Sequence, residues 1–189
     1  MTGHYTPLQK WTNEIWGLDV LKKDDDKFVS CGDDGTLRMY SISARKQIAV
    51  VETTLDAKKK PEKPDKKTGD PADTTKGRCV GVSKKGDVFI VGMKDGTLKS
   101  YKHVPKDETF VQDKHMKKAK EWISDITFSH DDKMFAFGSH DNKIYIFSNG
   151  KKWKPMGKGP LAKHSSYITH FDFSEVNNII ISIGFNCYA

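Results

Sequence analysis

Apolar and polar residues alternate around a tight turn in three stretches of the chain. MFAFGSHDNKIYIFS, Met134 to Ser148, reads as strand, turn, strand: an apolar run to Phe137, turn residues Gly138 to Asn142, then Ile144 and Ile146 on one face with Tyr145 and Phe147 on the other. FVSCGDDGTLRMYSI, Phe28 to Ile42, and VFIVGMKDGTLKSYKH, Val88 to His103, repeat the design. Each copy sets an Asp before a residue that tolerates positive φ: Asp34-Gly35, Asp95-Gly96 and Asp141-Asn142. Such pairs suit a hairpin turn, because a short carboxylate can accept the nearby backbone N–H groups.

Each hairpin is preceded by another alternating run. EIWGLDVL (Glu14 to Leu21), RCVGV (Arg78 to Val82) and WISDITFS (Trp122 to Ser129) read as first strands, each followed by a polar turn. Short fourth strands follow at Gln47 to Val51 and, weakly, at Thr109 to Val111; the third hairpin leads into a basic loop and Trp153. SSYITHFDFS and NNIIISIG, ending at Gly184, begin a further copy, with Ile168 standing where Ile15 stands in the first. Four antiparallel strands in about 40 residues is the spacing of propeller blades. The turn Asp recurs 46 residues apart between the second and third copies but 61 apart between the first and second. The excess is the insertion DAKKKPEKPDKKTGDPADTTK, with seven Lys, five acids, three Pro and no aliphatic residue larger than Ala, a composition that cannot bury a core. The expected organisation is therefore a lead-in at 1–10, blades at 11–55, 77–114 and 115–160, a lysine- and proline-rich surface loop at 56–76, and a partial fourth blade at 161–189.

WTNEIWGLDV, FVSCGDDGTLRMY, GRCVGVSKKGDVFIVGMKDGTLKSY and GSHDNKIYIFS resemble WD-repeat sequence. More narrowly, EIWGL, GRCVGVS, GMKDGTL and HSSYITHFDFS, in that order, resemble the echinoderm microtubule-associated protein-like family, over nearly the whole span from Trp11 to Gly184. The resemblance implies an all-β fold of WD-repeat propeller blades, three full and part of a fourth. A full WD repeat links a loop His, a turn Asp, a strand Ser or Thr and a strand Trp by hydrogen bonds. Here Tyr40, Tyr101 and Phe147 take the Trp position, Trp11 stands for the first His, and the loop His survives as His164, whose turn partner would fall at Asn186 or Cys187. Packing rather than that network should hold the blades. Fewer than four blades cannot close a ring of about seven, so the missing blades are expected from another chain or from sequence beyond this one.

Lys+Arg 32 against Asp+Glu 25 gives a net charge of +7, which favours acidic partners without choosing among them. Cys31, Cys79 and Cys187 form neither a disulfide framework nor a zinc motif, and no signal peptide or membrane-spanning run is evident. GxSxG, HExxH and phosphate-loop patterns are absent, so neither catalysis nor a cofactor is expected. His130-Asp131-Asp132 reads as a solvated turn rather than a metal cluster, and His164 with His170 as capping or core residues rather than a ligand pair. The resemblance implies a microtubule-associated structural protein of the cytoplasm and cytoskeleton, with cilia or axonemes as a setting, where other axonemal or scaffold proteins would be neighbours. Basic loops would then meet acidic tubulin through Lys58, Lys59, Lys60, Lys63, Lys66 and Lys67 of the insertion, Lys117, Lys118 and Lys120 before the third blade, and Lys151, Lys152 and Lys154 after it. The alternative is a generic WD-repeat scaffold without direct tubulin contact, anchored by Trp16, Trp122 and Trp153 where these are not inter-blade core. Nucleic acid is disfavoured, since only Arg38, Arg45 and Arg78 supply guanidinium groups and no basic helix is evident.

Overall fold

The computed structural model describes residues 14–53, 76–174, 176 and 179–185. All regular structure among them is β, apart from one 3-10 turn at Pro105–Asp107. The first sheet is β1 (Ile15–Val20), β2 (Lys27–Gly32), β3 (Thr36–Ser41) and β4 (Lys46–Glu52), and the second is β5 (Gly77–Val82), β6 (Phe89–Met93), β7 (Thr97–Val104) and β8 (Thr109–Lys117). The third holds β9 (Ile123–Phe128), β10 (Met134–Ser139) and β11 (Ile144–Ser148), and the fourth β12 (Ile168–Phe173) and β13 (Ile180–Gly184). Each is an antiparallel meander in chain order, and the first strands pack side by side, β1 on β5, β5 on β9 and β9 on β12. The result is a partial WD-repeat propeller.

Two segments depart from the sequence expectation. Instead of ending near Val111, β8 pairs with β7 from Val104↔Thr109 to Thr97↔Lys117, so residues 115–117 belong to the second sheet. Its inward side is thinly apolar, with Phe110 buried and Met116 packed against the next core, and the β7 ladder supplies what side chains do not. The third sheet's outer edge is formed by two isolated bridges, Phe147↔Pro155 and Ile144↔Leu161. Pro155 and Pro160 lack a donor, and Gly157 and Gly159 at φ 74° and 133° bend the segment out of ladder register.

Strand residues alternate between faces, so each sheet gives one face to each neighbour. Val29 and Met39 of the first sheet meet Val80, Phe89 and Val91 of the second. Ile90 and Leu98 on the second sheet's other face meet Ile126, Phe135 and Phe137. Ala136 and Ile144 then meet Ile168, Phe171 and Phe173. Cys31 and Cys79 are buried free thiols, and burial pushes Cys31 up to about 12. At the two ends of the arc the outer faces stay uncovered: Leu18 is 63% exposed on β1, and Ile181 and Ile183 are 69% and 59% exposed on β13.

Candidate interaction surfaces

A four-stranded meander places its turns alternately at two rims. The β2–β3, β6–β7 and β10–β11 turns share one rim with the connections between sheets; the β1–β2 and β3–β4 turns and their counterparts lie at the other. Repeated backbone bonds fix the first rim. The residue after each second strand donates its N–H to a carbonyl just before the first strand: Asp33 to Glu14, Lys94 to Lys76, His140 to Trp122 and Phe185 to Tyr167, at 2.9–3.0 Å. The hairpin turns put Gly35, Gly96 and Asn142 at φ 69°, 85° and 66°. Asp34 accepts from the Thr36 N–H and hydroxyl, and Asp95 does the same for Thr97. Asp141 instead accepts the Tyr145 hydroxyl at 2.8 Å and the Lys120 N–H at 3.1 Å, tying its turn to the incoming connection.

One irregularity recurs in every first strand. Opposite one residue step on the partner strand, the register skips Trp16, Arg78, Ser124 and Thr169. A bulge re-aims the extra side chain, and here it turns Trp16 and Arg78 along the rim. Arg78 lies 4.5 Å from the Trp16 ring centroid and 5.2 Å from that of Trp122, and it is ion-paired with Asp33. The series continues through Trp122 and His140 at 4.4 Å, His140 and Tyr167 at 4.4 Å, and Tyr167 and Phe185 at 5.3 Å. Burial lowers the His140 pKa, which favours a neutral ring in this stack. The ladder therefore crosses all four sheets, leaving Trp16 and Phe185 about half exposed at its ends. Trp122 belongs to it, while Trp153 packs on Phe135 at 5.0 Å. Sequence reasoning passed over Arg78; the available signal was a charged residue inside the otherwise small and apolar run GRCVGV.

The lysines expected to meet a partner divide between the rims. Lys117, Lys118 and Lys120 are exposed at the rim of the sheet connections, with Lys117 held 3.2 Å from Asp95. Thr53 and Lys76, from which the insertion leaves and returns, are bonded to the turns of that same rim, Thr53 N–H to Gly35 and the Lys94 N–H to Lys76. Lys58, Lys59, Lys60, Lys63, Lys66 and Lys67 lie outside the described residues. Lys151, Lys152 and Lys154 are exposed beyond β11, at the opposite rim. The structure thus does not gather the candidate lysines into one patch.

His164, His170, Asp131 and Asp132 have structural partners. Asp132, expected in a solvated turn, is buried at φ 57° and accepts the Lys84 and Lys85 N–H groups of the second sheet at 2.7 and 2.9 Å. Among the described residues no group of three His, Cys, Asp or Glu could hold a metal ion. His164 Nε2 lies 2.7 Å from the Ser182 hydroxyl, which is the His–Ser leg of the WD tetrad; Asn186, Cys187 and Trp11 lie outside the described residues. His170 Nδ1 is 2.5 Å from Asp125, which also accepts the Phe171 N–H across the junction of the third and fourth sheets. No described helix is long and apolar enough to cross a membrane.

Comparison with known proteins places this geometry. Residues 15–186 match the echinoderm microtubule-associated protein second beta-propeller family. The ciliary WD repeat-containing protein ctxp80 of Euplotoides octocarinatus is 32% identical over 171 residues, 90% of this chain and 23% of that protein. Echinoderm microtubule-associated protein-like 1 of Rattus norvegicus is 30% identical over 186 residues, 96% of this chain and 20% of that protein. The chain thus spans about a fifth of these curated relatives. Among solved structures, a chain of the mitotic checkpoint complex superposes with a TM-score of 0.69 at 10% identity, covering 93% of this chain and 45% of that one, a likeness of fold alone.

Proposed function

The chain belongs to the echinoderm microtubule-associated protein family of WD-repeat propellers, and from that premise we propose that it is part of a non-enzymatic microtubule-associated protein that meets acidic tubulin through the rim of its sheet connections. The observation that carries this is placement: Lys117, Lys118 and Lys120 are exposed on the rim where the lysine-rich insertion leaves and re-enters the fold. A cationic rim attracts an acidic surface at long range, and the attraction weakens as salt shortens the Debye length. The names of the relatives support a cytoskeletal or ciliary setting, where other axonemal proteins would be neighbours and further blades would cover the open end faces. Salt-dependent sedimentation of the chain with stabilised microtubules tests the proposal. Saturable pelleting is expected, reduced by Lys117→Ala/Lys118→Ala/Lys120→Ala and further by neutralising Lys58 to Lys67. Pelleting indifferent to both sets would refute the assignment of the rim.

The half-exposed rings of Trp16 and Phe185 on the same rim favour a second reading, a protein-binding scaffold anchored by aromatic contacts. A salt-resistant complex lost in Trp16→Ala would select it.

A further inference from the structure

Each junction between the described sheets has a glycine on one side and a side chain on the other. The second-strand residue paired just past the bulge faces the residue that opens the next first strand: Cys31 faces Gly77, Gly92 faces Ile123 and Gly138 faces Ile168. A methyl group on Gly77 would lie 2.9 Å from the Cys31 Cβ, and one on Gly92 or Gly138 would lie 2.7 or 2.6 Å from the Cγ2 of the facing isoleucine. At this height the sheets approach too closely for two side chains, so each junction admits one.

A hydrogen bond between first strands adds a second requirement. Asp19 holds its own neighbour's N–H, that of Val20, on Oδ1 and the Val82 N–H of the next first strand on Oδ2, both at 2.8 Å. Asp125 does the same with Ile126 and Phe171, at 2.9 and 3.1 Å. In both cases the N–H donated across the junction follows a residue without a carboxylate, Gly81 or His170, which leaves that N–H free to reach the neighbouring sheet.

The fourth sheet carries both features unanswered. Ile183 stands where Cys31, Gly92 and Gly138 stand and is 59% exposed. Asp172 stands where Asp19 stands: its Oδ1 accepts the Phe173 N–H at 2.8 Å and the Thr127 hydroxyl at 3.4 Å, while no described residue donates to its Oδ2. With a branched side chain already at the close-contact height, the incoming strand must open on glycine. This chain's own first blade does not qualify. Its first strand opens on Ile15, and the Val20 N–H that Asp172 would need is held by Asp19. GRCVGV has both features, Gly77 at its opening and Gly81 ahead of the Val82 N–H, but that strand is already engaged by the first sheet.

We propose that the open β12–β13 face docks a WD-type blade of one kind, whose first strand opens on glycine and has no acidic residue before its sixth position, and that it rejects the first blade of a second copy of this chain. The inference rests on the reading that further blades cover the open end faces, and it adds which blade fits.

The test gives the full chain the missing features. Ile15→Gly/Asp19→Asn opens the first strand on glycine and frees the Val20 N–H, while the asparagine amide oxygen can still accept the Val82 N–H. Sedimentation velocity from about 1 to 100 µM, a range that resolves a Kd of that order, should show the parent at constant monomer mass. The double variant should rise toward twice that mass or beyond as copies join head to tail. Adding Ile183→Lys or Asp172→Ala to the double variant should return it to the monomer. Ile15, Asp172 and Ile183 lie at the surface, so far-UV circular dichroism should be unchanged, and Ile15→Ala/Asp19→Asn should associate more weakly than the glycine form. A folded double variant that stays monomeric overturns the proposal, as does association that survives both added substitutions. Association of the parent that is lost in Ile183→Lys also overturns it, while leaving intact the reading that blades cover this face.

Discussion

Replacing Arg78 with alanine should damage this fold more than any exposed charge change. The Arg78 side chain is 6% exposed and that of its partner Asp33 17% exposed, so the pair is largely out of water. Removing one member of such a pair strands the other, a loss of about 3–5 kcal/mol where burial is complete. Two ring contacts also vanish, each worth about 1–2 kcal/mol when desolvated. These losses overlap, because the same guanidinium makes both, and Asp33 retains some water. The expected destabilisation is therefore about 3–4 kcal/mol, a large share of a domain's usual margin. Arg78→Lys, which keeps the charge but loses the planar fork, should cost about 1–2 kcal/mol. Urea unfolding followed by tryptophan emission and circular dichroism, at one fixed protein concentration, gives the values. Pairing Arg78→Met with Asp33→Asn in a double-mutant cycle should return a coupling of at least about 1.5 kcal/mol. A loss below about 1 kcal/mol for the alanine variant, or simple additivity in the cycle, would show that the ion pair and ladder do not hold the sheets together.

Gly96→Ala should destabilise by roughly 2 kcal/mol or more in the same assay, because φ is +85° and the new methyl would sit 2.4 Å from the Ala119 carbonyl oxygen. His164→Ala leaves the Ser182 hydroxyl without its 2.7 Å partner and should cost about 1 kcal/mol. Bonds from Lys133 and Ser129 hold Asp131 down at about 2 from 3.8, so its folded form binds the proton less tightly than the unfolded chain. Its contribution is present above pH 3.8 and is lost as pH falls toward 2. Asp131→Asn should therefore flatten the acid limb of a stability–pH curve. Asp125, raised by burial, has the opposite sign, and Asp125→Asn should steepen the acid loss.

The hairpins were legible in sequence because their information is local: alternation sets the faces, and Asp-Gly or Asp-Asn sets the turn. β8 was not, because TFVQDKHMK offers one buried aromatic and then alternates polar residues; its last six positions are strand because β7 supplies hydrogen bonds across the sheet. Asp132 fails for the same reason at longer range. Read along the chain, HDDK is a polar turn, and only when the second sheet arrives do the Lys84 and Lys85 N–H groups turn its carboxylate into an inter-blade brace. The Arg78 ladder needs four sheets before it exists. The bulge that aims it leaves a faint trace, a residue out of phase at one position in each first strand.

Charge was legible in sign but not in place, and strand parity supplies the place. In a meander, whatever follows an even strand emerges at the rim of the sheet connections, and whatever follows an odd strand emerges at the other. Lys118 and Lys120 follow β8, the fourth strand of its sheet, whereas Lys151 and Lys152 follow β11, the third of its own. Counting strands therefore separates two lysine groups that composition merges into one net charge. The separation holds although the third sheet lacks a continuous fourth strand, since the segment through Pro155 and Leu161 still climbs back along β11 before β12 begins. A single acidic partner lying flat on one rim can engage only one of the groups, so a charge-neutralising scan should resolve two independent sets of effects rather than one graded loss.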